Sequence, residues 1–376
     1  MKYPWSKEKR NVRVMILANN DVGLYKFRKE LVAELLKENE VFICLPEGDF
    51  VNRLVEMGAK FLPCALLDRH GTNPVKELKL LSWYRETLKA YHPDIVFTYT
   101  IKPNVYGGAA CAGLGIPYVA NITGLGTAVE NGGVMQKITL ALYRRGLRKA
   151  QKVFFQNAEN RDFMLSHNVV KGPYDMLPGS GVNLGQYRVW DYPTGETVDF
   201  VFIARVMKEK GIDQYLDAAK AIRKTHPETR FHICGFCEQD YRQELENLQN
   251  EDVIIYHGLV DDMTEIYKMA ACTVHPTYYP EGLSNVLLES AASGRPIITT
   301  NRAGCREVVD DGVNGFVVRE RDSGDLIEKI ESFLGKNYRE RKQMGLQGRE
   351  KVEREFNRQI VIDKYIQEIR DVSKTN

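Results

Sequence analysis

The chain has 376 residues, of which 43% are hydrophobic and 27% are charged, and its formal net charge is +2. The length predicts two or three domains, and the composition excludes a largely disordered chain. The nearly balanced charge argues against a dedicated nucleic-acid binder, so no nucleic-acid partner is expected. The charge is unevenly distributed, however: residues 1–185 carry 25 Lys and Arg against 17 Asp and Glu, whereas residues 186–376 carry 27 against 33. This contrast predicts two domains that bind different partners.

Three features predict a cytoplasmic protein. Residues 1–10 contain no apolar stretch of the signal-peptide type. The longest run without charged residues lies between Lys102 and Glu130, and its prolines and glycines argue against a membrane span. The seven scattered cysteines are typical of reduced thiols rather than of a disulfide framework.

Short apolar strands alternate with helical stretches through the first half of the chain. The alternation, with connections long enough for crossovers, predicts a parallel sheet covered on both faces. Strands are predicted at Val12–Ala18, Val41–Leu45, Phe61–Cys64, Ile95–Tyr99, Tyr118–Ile122 and Lys152–Gln156, and the first two helices at Tyr25–Glu38 and Asp49–Met57.

Residues 132–152 form the most basic stretch of the chain, with six Lys and Arg and no acidic residue. Apolar residues lie among them, namely Leu140, Ala141, Leu142, Tyr143 and Leu147. This pattern is typical of an amphipathic helix on an anionic membrane surface, here the inner membrane. A solvated helix face would show the same pattern, so the sequence leaves both interpretations open.

The alternation restarts after residues 177–193, whose glycines and prolines predict a linker. The sequence thus predicts an α/β protein with two Rossmann-like, doubly wound domains that face each other across a cleft, over residues 1–185 and 186–355. Ligands of such sheets bind at the carboxyl ends of the strands. Strands of the second domain are predicted at Asp199–Ile203, Arg230–Cys234, Val253–Tyr256, Ala271–His275, Pro296–Thr300 and Phe316–Val318, and helices at Gly211–Thr225 and Ser284–Ser293.

Two loops of the second domain carry the residues most suited to chemistry. Arg205 follows one strand and Lys210 stands at the entrance of the next helix, an arrangement that favours a bound diphosphate. Glu281 precedes a second helix, whose first backbone N–H groups, from Gly282 to Ser284, are expected to point towards a ligand. Glu289 lies further along that helix and is expected to reach the same site. The alternative for the first loop is two solvated cations, and the alternative for the second is a helix cap at Ser284 with two surface acids.

These motifs resemble those of retaining glycosyltransferases of family 4, which have the GT-B fold. EGLSNVLLE matches the family's two glutamates separated by seven residues, and RVMKEKG matches its Arg-x-x-x-x-Lys-Gly element. HICG, YHGLV, HPTYYPEG, SGRPIITT and AGCREVVDDGVNG follow in the family's order. LYKFR, IKPN and TGLGT in the first half resemble enzymes that act on undecaprenyl-diphosphate-linked sugars. The fold also implies a last helix, over residues 356–376, that returns to the first domain.

The resemblance implies roles on the donor side. Arg205 and Lys210 would hold the diphosphate of a UDP-sugar and stabilise the leaving UDP, and Glu281 would lie beside the sugar ring. Transfer would proceed by front-face attack, without a dedicated base. No Asp-x-Asp motif occurs, so neither a metal nor another cofactor is expected. The remaining donor-binding residues would be Gly23, Gly258, Leu259, Val260, Gly282, Leu283, Ser284 and Glu289.

The partner on the acceptor side would be a polyprenyl-diphosphate-linked glycan. Lys26, Arg28 and Lys102 are cations near strand ends of the basic half and are candidates for its diphosphate, with ordinary surface charge as the alternative. Asn104 and Thr123 lie in the matching stretches and complete the predicted acceptor site. Thr123 stands where many members of the family have a histidine beside the donor sugar, so that histidine's role is not carried over.

Four alternatives to this function are considered. GT-B-fold sugar-nucleotide epimerases share the architecture but lack the motif of two spaced glutamates, and a transferase for a soluble acceptor would share the donor site. A sugar-nucleotide sensor without turnover would not need the full set of charged residues. A Rossmann oxidoreductase is disfavoured, because no Gly-x-Gly-x-x-Gly follows the first strand.

Overall fold

The computed structural model describes residues 11–68, 71, 73–130 and 132–375. Residues 1–10, on which the prediction of no leader rests, lie outside the described residues. The chain divides into one unit of Met1–Leu177 with Val361–Asn376 and a second unit of Pro178–Ile360. The division therefore falls at Leu177, whereas the sequence analysis placed it at residue 185.

In the described part of the first unit, seven parallel strands form one sheet in the order β3-β2-β1-β4-β5-β6-β7. The register pairs Val14 of β1 with Val41 of β2 on one side and with Ile95 of β4 on the other. The strands are β1 (Val12–Leu17), β2 (Asn39–Leu45), β3 (Lys60–Pro63), β4 (Ile95–Tyr99), β5 (Tyr118–Ile122), β6 (Lys152–Phe155) and β7 (Tyr174–Met176). The last of these was not predicted.

The helices of the first unit bury apolar residues against both faces of this sheet, as expected for parallel strands. They are α1 (Asp21–Leu36), α2 (Val51–Glu56), α3 (Pro74–Tyr91), α4 (Gly108–Leu114), α5 (Thr127–Glu130), α6 (Gly133–Leu147) and α7 (Ala158–Ser166), with a π-helical turn at Pro103–Gly107. Residues of the last helix, among them Val361, Ile362 and Tyr365, belong to the core on one face.

The described residues of the second unit form a six-stranded parallel sheet in the order β10-β9-β8-β11-β12-β13. Its strands are β8 (Val198–Ile203), β9 (Thr229–Cys234), β10 (Ile255–Gly258), β11 (Cys272–His275), β12 (Ile297–Thr300) and β13 (Gly315–Val318). Its helices are α8 (Ile212–Thr225), α9 (Arg242–Asn250), α10 (Thr264–Met269), α11 (Asn285–Ala292), α12 (Ser323–Leu334) and α13 (Tyr338–Glu355). The last helix, α14 (Arg358–Thr375), belongs to the first unit from Val361 onward.

The two sheets confirm the predicted fold class, two doubly wound α/β units built on parallel strands. Among the helices that the structure describes, none has both the length and the apolar content that crossing a bilayer requires. All seven cysteines are free thiols.

Candidate active site

The loops that follow β8 and β11 are tied together by their backbones. The Tyr278 N–H donates to the Glu209 carbonyl at 2.9 Å, and the Thr277 hydroxyl donates to the same oxygen at 3.2 Å. Gly211 adopts a left-handed φ of 77°, and a Cβ there would lie 2.1 Å from the Pro276 carbonyl oxygen. The glycine that ends the RVMKEKG motif is therefore required by the close approach of the two loops.

Lys210 and Glu281 meet across this junction as an ion pair. Their side chains are only 11% and 17% exposed. Burial on its own would raise the pKa of the Glu281 carboxyl, but the adjacent Lys210 ammonium more than offsets this and holds that pKa below its usual value. The structure thus brings together two residues that the sequence analysis placed in separate motifs.

Arg205 lies beside the same pair. Its guanidinium forms an ion pair with Glu238 and lies 5.4 Å from the ring centroid of Tyr279. The Lys210 ammonium lies 4.8 Å from the centroid of the same ring, so one aromatic side chain contacts both cations. Sequence reasoning missed both partners: Tyr279 lies within the HPTYYPEG motif, which offered a signal, but nothing in the sequence singled out Glu238.

The start of α11 differs from the prediction of freely pointing N–H groups. The Ser284 N–H donates to the Gly304 carbonyl at 2.8 Å, and the Leu283 side chain belongs to the buried core. The close approach requires a glycine at position 304, because a Cβ there would lie 2.6 Å from the Gly282 carbonyl oxygen. The prediction that the Ser284 N–H contacts a ligand is therefore wrong, because the AGCRE loop already uses it.

Glu289 lies half-buried on α11 and accepts a hydrogen bond from the Tyr267 hydroxyl at 3.1 Å. Gly258 ends β10, and Leu259 and Val260 follow it. The Gly235 N–H donates to the Gly258 carbonyl at 2.7 Å. Leu259 is 69% exposed, unusually high for a leucine next to a strand end.

His275 ends β11 behind the ion pair and is almost fully buried. Its Nε2 lies 3.4 Å from the Ser284 hydroxyl. Burial, assisted by the nearby Lys210 charge, lowers its pKa to about 3. The imidazole is therefore neutral at physiological pH.

Gly23 does not lie in a loop, because α1 begins at Asp21 rather than at the predicted Tyr25. Its N–H donates to the Asn20 side-chain oxygen at 2.6 Å as part of the N-cap of this helix. The sequence analysis counted Gly23 among the donor-binding residues; the structure places it in the first turn of a helix, and its contact with a donor stays a prediction.

Of the predicted acceptor residues, Asn104 and Lys102 are occupied by structural contacts. Asn104 is fully buried, accepts from the Thr98 hydroxyl at 2.6 Å and donates to the Asn121 carbonyl at 2.7 Å, so it cannot contact an acceptor as predicted. The Lys102 ammonium is paired with Glu77 at 2.5 Å and also donates to the Gly71 carbonyl at 2.8 Å. Its charge is therefore already compensated inside the first unit.

The other three predicted acceptor residues are more accessible. Lys26 is exposed, with its ammonium 5.5 Å from the Phe50 ring centroid. Arg28 is half-buried, with its guanidinium 4.3 Å from the Tyr99 ring centroid. Thr123 directly follows β5 and is half-buried.

Residues 27–179 match the model of the glycosyl transferase 4-like domain, and residues 193–351 match that of the glycosyl transferases group 1. The chain is 23% identical, over 86% of its length and 89% of the relative, to the N,N'-diacetylbacillosaminyl-diphospho-undecaprenol alpha-1,3-N-acetylgalactosaminyltransferase of Campylobacter jejuni. In structure it is similar to an Anabaena protein crystallised with UDP and glucose, with a TM-score of 0.78, 17% identity and coverage of 96% of this chain and 100% of that one. A glycosyltransferase from Rickettsia africae gives a TM-score of 0.80 at 16% identity, covering 98% and 100% of the two chains.

Together, the paired parallel sheets and the domain matches define a glycosyltransferase of the GT-B fold. The first half of the chain carries the glycosyl transferase 4-like domain, and the second half carries the glycosyl transferases group 1 domain. The prediction of a glycosyltransferase with the GT-B fold, made from the EGLSNVLLE and RVMKEKG motifs, is thereby confirmed.

Proposed function

We propose that the protein is a retaining glycosyltransferase that moves a hexose or N-acetylhexosamine from a UDP-sugar to a polyprenyl-diphosphate-linked saccharide. The product would enter surface polysaccharide or glycan assembly. The observation that carries the proposal is the cluster in which Arg205 and Lys210 contact the ring of Tyr279 and Glu281 pairs with Lys210.

This cluster is suited to stabilising a departing diphosphate. Negative charge develops on the leaving oxygen as the sugar bond breaks, and cations held in place in advance stabilise that charge without reorganisation. Lys210 is held by Glu281 and the loop that carries it is bonded to the Tyr278 backbone, so its position is set before the donor binds. Glu281 would lie beside the sugar, and Glu289, oriented by Tyr267, would accept from ribose hydroxyls. The exposed Leu259 offers apolar area for the face of the base.

We propose that transfer needs neither a metal nor a dedicated protein base. The leaving phosphate oxygen would take the proton of the attacking hydroxyl on the same face, so the protein mainly positions the reactants. His275 is unsuited to be that base, because it is buried and its low pKa makes it a weak proton acceptor. Full activity in EDTA, equal to that with added Mg²⁺, is the expected result, and a loss restored by Mg²⁺ would contradict it.

The Campylobacter jejuni relative supports the acceptor assignment, because its substrate is a sugar on diphospho-undecaprenol. Within this chain, Lys26 and Arg28 are the cations we assign to the acceptor diphosphate, since Lys102 is paired with Glu77. The protein must reach such a lipid at a membrane surface. We propose that it docks on the cytoplasmic face of that membrane.

Helix α6 supplies a surface suited to that docking. Its first turns expose Val134, Met135 and Ile138, which are 72%, 49% and 47% exposed. Lys137, Arg145 and Arg148 are exposed on the same helix or directly after it. The sequence analysis included Leu140, Tyr143 and Leu147 in the apolar pattern for a membrane surface, but the structure buries these three residues in the core. Exposed apolar side chains among cations are the pattern that binds anionic lipid headgroups.

The test is a panel of UDP-sugars against polyprenyl-diphosphate-linked saccharides, with mass spectrometry of the lipid product. One donor should extend the lipid-linked saccharide by a single sugar, and NMR of the product should show the anomeric configuration of the donor. Transfer to the same saccharide without its lipid diphosphate, at equal efficiency, would contradict the acceptor assignment. An epimerised nucleotide sugar formed without acceptor would instead identify an epimerase.

A further inference from the structure

Each cation of the Tyr279 cluster has a carboxylate partner. Lys210 is paired with Glu281, and Arg205 is paired with Glu238. The two pairs together carry no net charge at neutral pH. A diphosphate is attracted by positive charge that is not already compensated, so tight binding requires that one carboxylate give way.

The two pairs differ in how readily they can separate. The Lys210 and Glu281 side chains are 11% and 17% exposed, whereas those of Arg205 and Glu238 are 26% and 37% exposed. Separating an enclosed pair leaves charges without solvation, which is costly. Separating a more exposed pair costs little, because water solvates the released carboxylate. Glu238 is therefore the carboxylate that can separate from its cation at the lower cost in free energy.

The surroundings of Arg205 allow this exchange without loss of its position. The ring of Tyr279 remains against the guanidinium when the carboxylate leaves. The Glu238 backbone is held by the bond from its N–H to the Val206 carbonyl at 3.1 Å. The adjacent Gln239 side chain accepts from the Lys208 N–H at 2.8 Å, which fixes this loop beside the RVMKEKG loop. The backbone therefore keeps the Glu238 carboxylate within reach of Arg205, where it competes with any incoming anion.

We propose that Glu238 is an internal competitor for the donor diphosphate: it occupies Arg205 in the free protein, is displaced on binding, and thereby sets the affinity for the nucleotide. This inference rests on the proposed function, since it takes Arg205 as a diphosphate ligand. It predicts that removing the carboxylate of Glu238 makes nucleotide binding tighter.

The experiment measures the Kd of UDP by calorimetry for the full chain. Glu238→Gln should bind UDP about 3- to 10-fold more tightly than the parent, with a smaller gain at high salt because salt screens the exposed carboxylate. Glu244→Gln is the matched control, because Glu244 forms an exposed pair with Lys220 at 3.2 Å on α8 and α9, and the same charge is removed. Its Kd should equal that of the parent.

A double-mutant cycle with Arg205→Ala tests the mechanism. The gain from Glu238→Gln should vanish when Arg205 is absent, since the carboxylate then has nothing to compete for. Unchanged or weaker UDP binding by Glu238→Gln, while Arg205→Ala binds UDP poorly, would overturn the competitor role and leave the proposed function intact. Undiminished UDP binding by Arg205→Ala would instead contradict the donor site itself.

Discussion

The ammonium of Lys210 and the carboxylate of Glu281 form an ion pair although 71 positions separate them in the sequence. They meet because the backbone of Tyr278 is bonded to Glu209, next to Lys210. The pair ties the predicted diphosphate-binding loop to the first glutamate of the spaced-glutamate motif. Changes at either residue should therefore affect both chemistry and local stability.

Replacing Lys210 by alanine should lower kcat/KM for sugar transfer by about 100- to 1,000-fold, or about 2.7–4 kcal/mol, because a fixed cation at the leaving group is lost. Lys208→Ala is the matched control, since Lys208 lies in the same loop and is exposed. It should retain activity within about twofold of the parent, as expected for a surface substitution. Steady-state kinetics with the identified donor checks both variants, and similar losses in both would contradict the specific role of Lys210.

The same substitution should lower stability, because it leaves the Glu281 carboxylate enclosed without its partner. We expect Lys210→Ala to reduce the free energy of unfolding by about 1–3 kcal/mol. Adding Glu281→Gln should recover most of that loss, since a neutral amide no longer needs the ammonium. Chemical denaturation of the single and double variants measures the effect, and a double variant less stable than Lys210→Ala would count against the pair.

His275 predicts a pH dependence of stability. The imidazole has a pKa of about 3 in the folded protein against 6.5 as its ordinary value. Between pH 6.5 and pH 3, His275 is protonated in the unfolded chain but stays neutral in the folded chain. The free energy of unfolding therefore falls as the pH is lowered from 6.5 towards 3. At pH 4.5 this amounts to about 2–3 kcal/mol, and above pH 6.5 the contribution is constant.

The measurement compares unfolding free energies of the parent and His275→Gln between pH 4.5 and pH 8. The variant should show a shallower decline on the acid side. His167→Gln is the control, because His167 is exposed at the end of α7 and its replacement removes an imidazole without opening the core. Equal slopes for the parent and His275→Gln would show that His275 is not the group responsible.

Lys102→Ala should act on folding rather than on acceptor recognition. The partner Glu77 is 12% exposed in its side chain and would be left without its cation, at a cost of about 1–3 kcal/mol. The double variant with Glu77→Gln should recover stability and should use the lipid acceptor with the parent's KM. A double variant that is stable but has a KM raised tenfold for the lipid acceptor alone would restore Lys102 to the acceptor site.

Ile138→Glu should weaken binding to vesicles that contain anionic lipid by about tenfold, because it replaces an apolar contact with the membrane by repulsion from the headgroups. Val313→Glu is the matched control, since Val313 is 45% exposed on the second unit. Vesicle sedimentation checks the affinity, and turnover of a water-soluble acceptor analogue checks that the site is intact. Equal losses for the two variants would indicate a general charge effect instead of a docking surface on α6.

The fold class and the glycosyltransferase motifs can be recognised without the structure. Parallel strands buried on both faces must be continuous apolar runs, and the crossover helices between them impose long spacings, so both signals are local and readable. The spacing of Glu281 and Glu289 is likewise set within one loop and one helix. Strand ends moved by one or two residues, and the short strand β7 was missed because three residues carry too little pattern.

Which candidate side chains are available to a ligand depends on contacts that form only in the folded chain. Asn104 and Lys102 read as polar residues near a strand end, yet one is enclosed by Thr98 and Asn121 and the other is paired with Glu77. The Ser284 N–H is taken by Gly304, and Arg205 is paired with Glu238. Each of these contacts joins residues that lie apart in the sequence, and hydrophobic periodicity carries no information about which polar groups chain folding brings within hydrogen-bonding distance.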